Sequence, residues 1–97
     1  MIDLVVTRHS GLVLYLFKEG LVKANVEMIK HATPEKVAGR HVCGVLPHSL
    51  SCLCASFTEV PLKLPPELRG VELDEAQVRK YASEPATYFV VKKRALK

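Results

Sequence analysis

Arg8, His9, Ser10 and Gly11 follow, after Thr7, on residues 2–6, an apolar run broken only by Asp3. A guanidinium can place two parallel hydrogen bonds on a phosphate, which an ammonium cannot. An imidazole can donate to the same group or transfer a proton in the neutral range. A hydroxyl adds a further polar contact, and a glycine lets backbone N–H groups approach an oxyanion. The segment Thr7-Arg8-His9-Ser10-Gly11 therefore reads as an oxyanion site, with phosphate the first candidate. Arg8 and His9 are the candidates for chemistry. The competing readings are a surface ion pair for Arg8, a structural histidine for His9 and a helix-capping role for Ser10.

Elements that could position these groups follow from the pattern of the chain. Residues 2–6 predict a strand buried on both faces. Residues 12–17 are apolar nearly all round. They read as a helix, capped by Ser10 and stopped by Gly20, that needs burial on two sides. The sheet can cover one side, and a second subunit is expected on the other. Residues 24–29 read as a second strand. Thr33-Pro34-Glu35 starts a single helical turn that Gly39 ends. Residues 41–46 read as a third strand, 48–55 as a short helix with Ser49 a candidate cap, and 60–64 as an irregular fourth strand containing Pro61. Residues 64–70 form a proline-stiffened loop, 74–82 a helix with an acidic start, and 87–92 a last strand.

This alternation predicts one small α/β, Rossmann-like domain over residues 1–97. Its sheet is mostly parallel, with about five strands and helices on both faces. The carboxyl ends of the first and third strands then share a rim. Pro47, His48 and Ser49 join Arg8, His9 and Ser10 there as candidate ligand contacts, because ligands of open α/β sheets bind outside the strand ends. Arg69 is a further candidate phosphate contact if its loop folds over the ligand. Turn chemistry accounts for most of that loop without it.

Composition bounds the rest. The 97 residues are 48% hydrophobic and 25% charged, an ordinary globular balance that excludes a disordered chain. Net charge is +4, part of it in Lys92, Lys93, Arg94 and Lys97, a basic tail at 92–97 that is expected to be solvated. The excess favours an anionic partner. Cys43, Cys52 and Cys54 are odd in number and lack the spacing of a zinc site, so they read as buried thiols and no metal or cofactor is expected. No basic region precedes the first apolar run and no stretch reaches the length of a membrane span. The expectation is a cytoplasmic protein with no membrane partner.

Two families share the first motif. Histidine phosphatases open with a strand followed by Arg-His-Gly. Here a residue is inserted, the chain is about half the length such a fold needs, and no second Arg-and-His set follows. The second resemblance spans nearly the whole chain. Arg8-His9-Ser10-Gly11 after a strand, Gly44-Val45-Leu46-Pro47 before a helix of small residues, and the long segment from Leu62 to Leu73 (Leu-Lys-Leu-Pro-Pro-Glu-Leu-Arg-Gly-Val-Glu-Leu) are similar to short stand-alone CRISPR-associated accessory proteins of the Csx kind, found beside type III systems. The resemblance implies a Rossmann-like homodimer that acts as a ring nuclease on cyclic oligoadenylate, cyclic tetra-adenylate first, without metal and without binding long nucleic acid. It implies that Arg8 neutralises charge on the phosphate, that His9 protonates the leaving oxygen or donates to a phosphate oxygen, and that Ser10 and Ser49 orient the backbone. A non-catalytic binder that sequesters the ring, or a small structural subunit, would carry the same motifs. The chain departs from the pattern in its strongly apolar residues 12–17 and in His48.

Overall fold

The structure, a computed structural model, describes residues 1–93 of the chain. Residues 94–97 of the basic tail lie outside the described residues. The centre of the fold is β1 (Leu4–Val6), whose three residues are all buried. Successive side chains of a strand point to opposite faces. Leu4 and Val6 accordingly pack with Val37 and Val42, while Val5 packs with Cys43, Leu12 and Leu16.

A strand apolar on both faces needs neighbours on both edges and cover on both sides. It has β2 (Glu27–Ile29) on one edge and β3 (His41–Gly44) on the other, both parallel. Then β4 (Ser56–Glu59) pairs parallel to β3, and β5 (Ala86–Tyr88) pairs antiparallel to β4. The order β2-β1-β3-β4-β5 makes one five-stranded sheet. On the Val5 face lie α1 (Ser10–Lys18) and α4 (Glu75–Tyr81); on the Leu4 face lie α2 (Pro34–Val37) and α3 (His48–Ser51). The expected small α/β domain, mostly parallel with helices on both faces, is what forms.

Element ends are shorter than the pattern predicts, and β1 sets the limit. Its three residues pair Leu4 with Glu27 and Val42, and Val6 with Ile29 and Gly44. The apolar residues beyond those registers have no ladder to join. The fourth strand is displaced from 60–64 to Ser56–Glu59. Residues 60–64 instead carry Val60, Leu62 and Leu64 back against the core, with a single bridge from Leu62 to Ala82. The helix predicted at 48–55 stops at Ser51, and the strand predicted at 87–92 ends at Tyr88.

Neither serine caps its helix. His9 holds the cap position of α1 and Pro47 that of α3, neither with a side-chain bond that caps its helix. The chain turns one residue earlier than expected because Thr7 Oγ1 accepts from the His9 N–H at 3.0 Å. Thr33 does cap α2, accepting from Lys36 N–H at 3.3 Å, and Asp74 caps α4 in a reciprocal box with Gln77.

The second side of α1 packs against α4 within the same chain. Gly11, Leu12, Tyr15 and Leu16 are buried, and of the apolar residues 12–17 only Leu14 and Phe17 are well exposed. Charges close the seam. Glu75 accepts from Lys18 Nζ at 2.8 Å and from Arg79 at 3.1 Å, Arg79 reaches Glu19 at 3.1 Å, and its guanidinium lies 4.9 Å from the centre of the Tyr15 ring. The hydrogen bond from Lys18, with Arg79 adding to it, holds the Glu75 carboxyl below its ordinary value. A depressed carboxylate adds stability above its unfolded value and loses it as pH falls through the folded one. Glu75→Gln is therefore expected to lower the melting temperature at pH 7 and to converge with the parent in acid, as followed by circular dichroism.

Candidate functional site

In this order the chain runs from β1 to β2 on one side and from β3 to β4 on the other. The order in which strands are added reverses between the parallel strands β1 and β3, the place where an open α/β sheet leaves a crevice outside its strand ends. A cleft of about 400 Å³ occupies that position. Thr7, Arg8 and His9 enter it from the end of β1, Lys30 and His31 from the end of β2, and Gly44 and Val45 from the end of β3. Leu12, Cys43, Val60 and Leu62 supply apolar lining. A Cβ on Gly44 would lie 2.5 Å from the Val6 carbonyl oxygen, so glycine is needed for the two strand ends to meet here.

The electrostatics of the cleft are one-sided. No Asp or Glu lines it. Three cations elsewhere are matched: Arg40 pairs with Asp3 and Glu27, and Lys18 and Arg79 pair with Glu75. Among the described residues, neither Arg8 nor Lys30 forms an ion pair. The ion-pair reading of Arg8 is thus not what the structure holds. The amino end of α1, with no acidic residue in its first turn, points the same way. Unpaired cations, two imidazoles and a helix start around one cleft suit an anion with several oxygens.

His9 is half-buried and fixed on two sides. Its backbone N–H donates to Thr7 Oγ1, and its ring Nδ1 accepts from the Leu73 N–H at 3.0 Å. Gly11 makes room for protein rather than for a phosphate. A Cβ there would lie 2.3 Å from the Asp74 carbonyl carbon and 2.6 Å from Leu73 O and Glu75 N. Ser10 is exposed in the first turn of α1.

The other expected contacts fall outside the cleft lining. His48 and Ser49 line a neighbouring depression with Leu53, Val90 and Val91; Pro47 is the cap position of α3, and Arg69 ends the 3-10 turn Pro66–Leu68. Val45 borders both the cleft and a groove that includes His48, so the shared rim exists but its two ends serve different hollows. Lys30 and His31 are not among the residues that the sequence motifs single out. Both directly follow a strand, the same signal that singled out Arg8 and His9.

Among the described residues, no group of three or more His, Cys, Asp or Glu side chains is placed to hold a metal ion. No helix among them is long and apolar enough to cross a membrane. Cys43 is the one cysteine in the cleft wall, and burial pushes its thiol up to about 12. It stays protonated at neutral pH and cannot serve as a thiolate nucleophile. Cys52 and Cys54 are only half-buried, short of the full burial expected for all three.

Residues 4–91 match the family model described as "Putative CRISPR-associated protein (Cas_VVA1548)". The chain belongs to this CRISPR-associated family. Neither a comparison with curated proteins nor one with solved structures found a match. The matched span takes in every strand of the sheet and every residue of the cleft lining, so in this family member the site is part of the shared domain. The burial of Cys43 has a direct readout. Brief treatment of the native protein with iodoacetamide at pH 7.5 should label Cys52 and Cys54 and leave Cys43 unmodified by peptide mass spectrometry, with all three labelled in denaturant.

Proposed function

We propose that the chain is a metal-independent ring nuclease of the small Csx kind that cleaves cyclic oligoadenylate, cyclic tetra-adenylate first, and so ends type III CRISPR signalling. The observation that carries this reading is the cleft at the β1/β3 switch point. It gathers Arg8, His9, Lys30 and His31 with no carboxylate in its lining. Membership of a CRISPR-associated family supports it from a separate direction.

The chemistry suits such a site. RNA carries its own nucleophile, the ribose 2′-hydroxyl. Its oxygen attacks the adjacent phosphorus, the bond from phosphorus to the 5′-oxygen breaks, and a 2′,3′-cyclic phosphate remains on one product end. The hydroxyl proton leaves to a base, and the 5′-oxygen gains a proton. The protein has to align the attack and stabilise charge growing on the phosphoryl oxygens. Arg8 is placed to neutralise that charge with paired N–H bonds, Lys30 adds a second cation, and the two imidazoles supply hydrogen-bonding or proton-transfer groups.

The proposed working unit is a homodimer that presents two clefts to one ring. Its support is an apolar surface beside the cleft rather than the α1 face. Val45, Phe89 and Val91 are each more than 80% exposed, with Leu53 and Tyr88 nearby, and Val45 joins this surface to the cleft. A second copy docked there brings a second set of cations alongside the first.

Incubation of the protein with cyclic tetra-adenylate in EDTA, followed by chromatography, should give linear oligoadenylate with 2′,3′-cyclic phosphate ends. An intact ring that comigrates with the protein would leave sequestration as the activity, and neither binding nor cleavage across several ring sizes would refute both. Arg8→Ala should weaken ring binding by about 1.5–3 kcal/mol, the worth of a lost charge-assisted hydrogen bond. Val91→Asp should shift the sedimentation coefficient from dimer to monomer; an unchanged dimer would remove this surface from the interface.

A further inference from the structure

The bond from the Leu73 N–H to His9 Nδ1 decides what His9 can offer a ligand. A nitrogen that accepts from an amide carries no proton of its own. In a neutral imidazole the single N–H is then on Nε2. A doubly protonated ring would set Nδ1–H against the Leu73 N–H, donor facing donor. The ring is thus held in one tautomer by a backbone group 64 residues away.

Backbone placement makes that contact rigid. Leu73 is 1% exposed, and Asp74, which follows it, starts α4 through the reciprocal box with Gln77. Gly11 lies so close to residues 73–75 that no Cβ fits. His9 itself is tied to Thr7 and accepts from the Leu12 N–H at its carbonyl. The imidazole and its partner amide therefore sit on two chain segments locked together at Gly11.

We infer that His9 is a fixed Nε2–H hydrogen-bond donor to the anion in the cleft rather than the acid that protonates the leaving oxygen, and that Gly11 and the Leu73 amide are positioning residues that set this tautomer. A neutral imidazole that gave up its only proton would become an imidazolate, whereas donating a hydrogen bond costs it nothing. This deepens the ring-nuclease reading and rests on it only for the identity of the ligand. Proton delivery to the 5′-oxygen then falls to another group, and His31 is the second imidazole in the cleft lining.

Long-range ¹H–¹⁵N spectra of the imidazoles in the ligand-free, full-length protein at pH 7.5 test the tautomer directly. The expected His9 pattern is a protonated Nε2 and a bare, accepting Nδ1. An Nδ1–H tautomer or an averaged pattern would overturn the inference. Gly11→Ala should convert the pattern to an averaged one. If that variant does not fold, Asp74→Ala, an exposed change that loosens the start of α4, should move it partway. A folded variant of either kind with the parent pattern would refute the positioning role.

Binding of cyclic tetra-adenylate separates donor from acid. Asparagine keeps an acceptor where Nδ1 stands and loses the distal donor; glutamine keeps a donor near the Nε2 position. His9→Asn should weaken binding by about ten- to a hundredfold, and His9→Gln by clearly less. Equal affinities near the parent value, with turnover lost in both, would instead make His9 the acid. If the ring does not bind at all, the functional reading fails while the ligand-free spectra still decide the tautomer.

Discussion

Everything in this fold is referred to β1, a three-residue strand with no exposed side chain. Because it is apolar on both faces, it must be paired on both edges and covered on both sides. Those needs place β2 and β3, and through them the helices. They also place the functional groups, since the chain leaves β1, β2 and β3 on the same side of the sheet. The cleft is the space that three parallel strand ends leave when the connections on either side of the β1/β3 junction lead away in opposite directions.

How much of this the sequence discloses depends on whether a residue's role is local. Thr33 before Pro34, and Asp74 three residues before Gln77, are short-range capping patterns, and both form. The run at 12–17 forms its helix although the expected Ser10 cap does not. What covers its second face is not, because α4 arrives from about sixty residues later. The fourth strand was hidden by chemistry. Ser56 and Thr58 are buried in it, and their hydroxyls are satisfied across the sheet, Ser56 by His41 at 2.7 Å and Thr58 by Thr87 at 2.8 Å. Pattern reading looks for apolar residues and preferred Val60, Leu62 and Leu64, which are apolar because they fold over the core edge.

The site shows the same division. Arg8 and His9 were legible because a motif next to a strand is a local statement. Lys30 and His31 carry the same strand-end signal, but only the strand order, which puts β2 beside β1, brings them to the same cleft. Gly11 was legible as an invitation to close approach, but not as to what approaches. A glycine after Arg-His reads as a seat for phosphate oxygens until the backbone of residues 73–75 is found there. The segment from Leu62 to Leu73, noticed as a long specific pattern without a role, ends at the amide that holds the His9 ring.

The two ends of the strands differ in their carboxylates: Asp3 and Glu27 stand at the amino ends, and no Asp or Glu lines the cleft at the carboxyl ends. At the amino ends, Arg40 is neutralised by Asp3 and Glu27. At the carboxyl ends, Arg8 and Lys30 have no counter-ion among the described residues. An anion approaching such a molecule is drawn towards the end that lacks carboxylates. Encounter rate, more than residence time, then carries the ionic-strength dependence. For a domain of 97 residues, were its ligand the polyanion proposed above, orientation during approach would enlarge the target without enlarging the protein.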